Sequence, residues 1–141
     1  MTITRADAIS PSQKKDIAYS DFTSDFDIHP DKNDLVQVVN EDSVAESIRN
    51  LLLTNRGERL MKPNVGSNIA SLLFEPITPI TQSVLEELVT NTITNYEKRA
   101  KLIQVTVSAS PDMNAYGVTV VYSTINKTDA ITSTFILNRI R

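Results

Sequence analysis

"TPITQSVLEELVTNTITNYEKRAKLIQVTVSAS", Thr78 to Ser110, contains the change of hydrophobic period that sets the fold. Val84, Leu85, Leu88, Val89, Thr92, Ile93 and Tyr96 recur every three or four residues, the spacing of one helix face. Thr78 ahead of Pro79 fits an N-cap followed by proline at the first helical position. From Lys101 the period drops to two: Ile103, Val105, Val107 and Ala109 point one way, Gln104, Thr106, Ser108 and Ser110 the other. A long amphipathic helix therefore runs into a half-buried strand. Each large aliphatic side chain buried along the helix contributes about 1.5–3 kcal/mol before entropy costs, more than any surface charge nearby. The joint between the two elements, "NYEKRAKL" (Asn95 to Leu102), packs Glu97, Lys98 and Arg99 together. Such a cluster is a solvated surface, a catalytic carboxylate, or a docking point for another protein.

Downstream, "AYGVTVVYSTIN" is apolar on both faces, as a central strand is, and "DAITSTFILNRI" reads as a third strand. The turns "SPDMN" and "NKTD" are short enough for antiparallel hairpins. Upstream, "DLVQVVN" (Asp34 to Asn40) is short and β-branched, a first strand. "NEDSVAESIRNLLLTN" follows with Val44, Ile48, Leu51 and Leu52 at helical spacing, and Asp42 or Ser43 as its cap. The helical pattern stops at "RGERLMKPNVGS", where Gly57, Pro63 and Gly66 impose irregular backbone. "SNIASLLFE" is a short helix capped by Ser67, with Ile69, Leu72 and Leu73 inward. The expected class is α+β in two layers: two or three helices on a small mixed or mainly antiparallel sheet, in the order β-α-α-α-β-β-β. Residues 1–33, rich in Asp and Ser and closing on the turn-like "DIHPDKND", read as an acidic arm, extended or partly disordered. Residues 34–141 read as a single domain.

The 141 residues suffice to bury a real core, and 40% hydrophobic with 22% charged residues is ordinary for a globular protein. No cysteine is present, which excludes disulfides and thiolate metal sites. Apolar runs stay short, as at Leu51-Leu52-Leu53, and "MTITRADAIS" lacks the apolar block of a secretory signal. A cytoplasmic chain, or one in a particle assembled there, is expected. Net charge is −3, unevenly spread: residues 1–42 hold nine acids against four bases, and residues 43–141 ten bases against eight acids. The near-neutral body does not attract a phosphate backbone strongly, and the charge pattern favours protein contacts over nucleic acid or membrane.

Residues for catalysis are sparse. His29, the sole histidine, precedes Pro30 with no second histidine or cysteine to share a metal. Glycine occurs only at 57, 66 and 117, so no phosphate-cradling loop exists, and no serine is flanked as a nucleophile elbow. Glu58, Glu75 and Glu97 fall at junctions and could pair for glycoside hydrolysis. Arg56, Arg59 and Arg99 lie beside two of them, however, and a neighbouring guanidinium lowers a carboxyl pKa, the wrong direction for a general acid. No cofactor is expected.

Taken together, "SIRNLLLTNRGERLMKPNVGSNIASLLFEPITP" and "NYEKRAKLIQVTVS" resemble the baseplate wedge, or sheath-initiator, family of contractile phage tails, which extends to type VI secretion baseplates. The likeness spans roughly residues 26–125, in order: a helix ending in a leucine run and "TNRGER", then "KPNVGS", then "LLFEP", then a long helix closing on a Glu-x-Arg signature. The family pattern reads Glu-Pro-Arg after an aromatic; Tyr96, Glu97 and Arg99 match, and Lys98 stands where proline is usual. Lysine in place of proline is expected to let the helix run on or fray. The resemblance implies a non-enzymatic virion component of the tail baseplate that links wedge to sheath. Its implied partners are other wedge proteins, the sheath protein and tube or hub proteins, with six copies per baseplate. Sheath subunits in such systems pass extended arms into a neighbour's sheet, so the sheet at 101–140 is expected to offer an open edge. Tyr96, Glu97 and Arg99, with Arg56, Glu58 and Arg59 of the "RGER" turn, are the expected protein-contact residues, the helix end tying to that turn or to a neighbouring wedge protein. Three other readings stay open: a type VI baseplate component, a lysozyme-like peptidoglycan hydrolase, and an anti-adaptor-like regulator sharing the fold.

Overall fold

The computed structural model describes residues 17–110, 112–125 and 127–139. Eight elements follow in order: β1 (Ser20–Phe22), β2 (Gln37–Val39), α1 (Glu41–Leu53), α2 (Ile69–Leu72), α3 (Pro79–Tyr96), β3 (Ala100–Ser110), β4 (Ala115–Thr124) and β5 (Ala130–Asn138). The last three form an antiparallel meander, β3-β4-β5, and β1 and β2 a separate antiparallel pair. This is the α+β class and antiparallel C-terminal sheet that the residue pattern predicts, with one strand more. The additional strand, β1, lies inside the segment read as an arm and pairs Ser20 with Val39 and Phe22 with Gln37. Three exposed residues show no alternation in the sequence, so nothing in the pattern marks them. Residues 1–16 of that segment lie outside the described residues.

The core lies between α1–α3 and the meander, where Val44, Ile48, Leu85, Val89, Ile93, Tyr116, Val118 and Tyr122 are fully enclosed. Thr78 caps α3 through its side-chain oxygen, which accepts from the Thr81 N–H at 3.1 Å. The buried stripe of α3 is narrower than its apolar pattern: Leu85, Val89, Thr92 and Ile93 are buried, whereas Val84 lies at the margin, 40% exposed. The caps assigned to α1 and α2 differ too. Asn40 occupies the N-cap of α1, and its side-chain oxygen accepts from Ala18 N–H at 2.8 Å, drawing the preceding segment in. Asn68 occupies the N-cap of α2 without a side-chain cap bond, and the Ser67 hydroxyl donates to the buried Leu52 carbonyl at 2.6 Å while accepting from the Ile69 N–H at 3.5 Å.

Strand β3 corrects the face assigned to Ile103. The register slips between Leu102, opposite Tyr122, and Gln104, opposite Val121. Ile103 is the extra residue of a β-bulge, and the bulge reverses the inward parity. Ala100 and Leu102 face inward before it, Val105 and Val107 after it, and Ile103 is left 56% exposed. Strict alternation cannot signal such an insertion.

The loop between α1 and α2 depends on Gly66, whose φ is +127° and whose added Cβ would lie 2.6 Å from the Thr54 carbonyl oxygen. That approach permits Ser67 N–H to donate to the same carbonyl at 2.8 Å. Gly66→Ala is expected to cost about 2–4 kcal/mol in chemical denaturation, from backbone strain plus the displaced strand of loop. Gly57→Ala has positive φ but open space around it, and should cost about 1–2 kcal/mol. Equal losses at the two glycines would contradict this reading.

Candidate functional site

The charged joint folds into a staple. Helix α3 stops at Tyr96 and Glu97 is its C-cap, although Lys98 occupies the position where proline would force the stop. The expected run-on therefore does not occur, and the reason is electrostatic. The Glu97 carboxylate turns back on the next residues: Arg99 donates through Nε to Oε1 and through Nη2 to Oε2, both at 2.8 Å, and its backbone N–H reaches Oε1 at 3.2 Å. A two-residue chelate of this kind cannot form in a continuing helix, so it substitutes for the missing proline.

Glu97 is buried, 5% exposed, and the Ser47 hydroxyl of α1 donates to its Oε2 at 2.5 Å. Burial pushes the carboxyl upward, but hydrogen bonds from Arg99 and Ser47 and the guanidinium charge outweigh it, leaving Glu97 below its ordinary value of 4.5. Arg99 is held correspondingly higher, first by its bond to Glu97. The guanidinium also lies 5.6 Å from the Tyr19 ring centroid, a cation–π contact with the chain just before β1. The staple thus joins α3, α1, β3 and the residues leading into β1.

Tyr96 leaves the staple in the other direction, its hydroxyl donating to the Asn64 carbonyl at 2.5 Å. Through it the end of α3 is tied to the Pro63–Gly66 stretch. Of the "RGER" residues, Arg59 joins Glu97, Tyr96, Ser47 and Asp21 around a groove of about 420 Å³. Arg56 and Glu58 do not line it. Glu58 is exposed and accepts the Asn55 N–H at 2.8 Å, closing its own turn. The structure therefore brings Tyr96, Glu97 and Arg99 together, sets Arg59 across a groove from them, and leaves Arg56 and Glu58 on the loop. Ser47, Tyr19 and Asn64 complete the site without having been marked by the sequence pattern.

Of the three junction carboxylates, Glu58 and Glu75 are exposed, and Glu97 is ion-paired and shifted away from protonation. Among the described residues no group of three His, Cys, Asp or Glu could hold a metal ion, and no helix is long and apolar enough to cross a membrane.

A second surface lies along the meander. The Arg139 N–H bonds the Asn114 carbonyl at 3.0 Å, which fixes the alternation in the β4–β5 ladder. Counting back from it, Leu137, Phe135 and Ser133 bond to β4, and Ile136, Thr134 and Thr132 turn their backbone groups outward. No described residue pairs with those outward groups. On the opposite edge the outward carbonyl of Val107 is engaged by the Gln82 side chain of α3 at 2.5 Å. Beside β5 runs a groove of about 450 Å³ floored by Leu52, Leu53, Phe135 and Ile136, with Arg49 at its side.

Comparison with known proteins places this geometry. Residues 38–129 match the family described as baseplate wedge protein gp25. The chain is 29% identical over 89 residues to baseplate wedge protein gp25 of Enterobacteria phage T4, a match covering 63% of this chain and 67% of that protein. A Geobacter sulfurreducens protein bearing a tail-lysozyme name superposes with a TM-score of 0.67 at 27% identity, over 72% of this chain and 92% of that one. A chain from the six-fold symmetrised baseplate of the anti-feeding prophage shares the fold, with a TM-score of 0.59, 18% identity and 87% of each chain covered. The matched region runs from β2 into the start of the last strand's hairpin and includes Ser47, Tyr96, Glu97 and Arg99, while Tyr19 lies ahead of it. This chain belongs to the baseplate wedge protein gp25 family, whose members are baseplate components of contractile tails.

Proposed function

We propose that the chain is a non-enzymatic scaffold that fixes itself to other wedge proteins and starts sheath polymerisation by lending the β5 edge to an extended segment of the first sheath ring. The observation that carries this is the inequality of the two sheet edges. Outward groups of β5 are unpaired among the described residues, whereas on the β3 edge the Val107 carbonyl accepts from Gln82 of α3. An incoming strand would satisfy the Thr132, Thr134 and Ile136 groups and lay apolar side chains into the groove beside Leu53. Such pairing gives affinity from the main chain and specificity from the groove.

The staple has a positioning role in this reading. It locks α3, α1 and the segment before β1 into one body, so that a load applied at the sheet reaches the wedge contacts without local yielding. Tyr96, Glu97 and Arg99 set the geometry, and Arg56, Glu58 and Arg59 face neighbouring wedge proteins. Hydrolysis of peptidoglycan would need a carboxyl kept protonated near neutral pH, and Glu97 is shifted the other way. Six copies per baseplate, with the sheath and the tube or hub proteins as further partners, follow the symmetry of such tails.

Particles assembled without this chain test the proposal. Electron microscopy should find baseplates and tubes with no sheath attached. Full-length sheaths on such particles would refute it.

A further inference from the structure

We propose that Leu60 and Met61, flanked along the loop by Arg56, Arg59 and Lys62, form a preshaped plug that inserts into an apolar pocket with an acidic rim on a neighbouring wedge protein. The inference rests on the wedge-docking reading and names the chemistry of one contact within it. Leu60 and Met61 are 96% and 95% exposed, the most exposed of the large apolar side chains described. Their exposure does not come from slack chain. Gly57 N–H donates to the Pro63 carbonyl at 2.7 Å, Lys62 N–H to Arg59 at 3.2 Å, and Val65 N–H to Lys62 at 3.1 Å. Glu58 closes the near end of the loop and Tyr96 holds Asn64 at the far end. A held loop carrying two aliphatic side chains into solvent has met its ordering cost before binding, as a docking anchor does.

The flanking charges select the partner. Arg56, Arg59 and Lys62 are exposed and form no ion pair with any described residue, and the one acid in the loop, Glu58, is occupied by the Asn55 N–H. A pocket rimmed by carboxylates complements these three cations. A lipid or nucleic-acid surface, an extended array of phosphates rather than a local rim, fits less well, because Asp21 shares the groove of Arg59 and Lys62 and the whole chain carries −3. Two side chains bury too little area for a stable complex alone, so the plug is one anchor of a wider interface.

The test uses the full chain and the remaining wedge proteins of the same baseplate, co-purified without it. Titration calorimetry should show the Leu60→Ser/Met61→Ser double variant binding about 30- to 100-fold more weakly than the wild type, as for loss of a buried anchor. Arg59→Glu/Lys62→Glu should weaken binding as well and reverse its salt dependence. Both variants should melt with the wild type, since these side chains support nothing else. Wild-type affinity in the double variant would overturn the plug alone, leaving sheath growth on the β5 edge untouched. No binding by the wild type would overturn the plug and wedge docking together. Co-sedimentation of the wild type, and not the double variant, with phosphatidylserine vesicles would assign the tip to membranes instead. Self-association of the isolated wild type, abolished in the double variant, would assign it to a second copy of the chain.

Discussion

Thr134→Pro folds like the wild type and fails to seed sheath. The side chain of Thr134 is exposed, and its N–H points away from β4, so proline removes no bond inside the protein. The residue before it, Ser133, already lies in a strand, the conformation that a following proline favours. The expected loss of stability is about 1 kcal/mol or less. An arriving strand, by contrast, loses a central donor and meets the proline ring at the point where it must lie closest. Loss of one or two ladder bonds with the accompanying clash weakens docking about 10- to 100-fold, enough to abolish nucleation from a ring of such subunits. Thr134→Val, which keeps the N–H, should seed normally. Sheath of normal length on Thr134→Pro baseplates would exclude β5 as the seeding edge.

Glu97→Ala should produce the largest loss of stability among the charged residues. It strands Arg99 between Tyr19 and an empty carboxylate site and removes the acceptor of Ser47. Breaking an ion pair that is buried on one side and about a third exposed on the other costs about 2–4 kcal/mol, less than a fully enclosed pair. For a domain of this size that corresponds to a fall in Tm of about 6–16 °C. The pH dependence has a definite sign. Because Glu97 titrates lower in the folded chain than in the unfolded one, its contribution is complete above its ordinary value of 4.5 and is lost as pH falls through the lower folded value. Arg99 stays charged throughout that window. Wild type and Glu97→Gln should therefore differ most in Tm near neutral pH and converge in acid. A gap that widened on acidification would contradict the assignment.

How much of this was legible in the sequence varies with the physical cause. The α3 stripe and the β3 alternation are periodic, and periodicity maps directly onto burial, so the α+β class and the antiparallel meander were readable from Leu85, Val89, Ile93, Val105 and Val107. The Ile103 bulge was not, because one inserted residue leaves the local composition unchanged while reversing every inward position before it. β1 was hidden for another reason: three exposed residues owe their strand state to partners 15 to 19 positions away. At the site, Tyr96, Glu97 and Arg99 stood out as a signature, but what Glu97 binds depends on tertiary placement. Ser47 sits 50 residues earlier on α1 and Tyr19 ahead of β1, and neither has a local marker. The helix end is the instructive case. Proline was the expected stop signal, and a side-chain chelate accomplishes the same stop through groups that no helix-propensity argument counts.

The difference between the two sheet edges is best measured by amide hydrogen exchange on the isolated chain and on the chain bound to purified sheath protein. Thr132, Thr134 and Ile136 should exchange rapidly in the isolated chain while Ser133, Phe135 and Leu137 are protected, and sheath binding should slow the first set selectively. Protection of all six amides before sheath is added, or no change after it binds, would contradict the edge-lending scaffold.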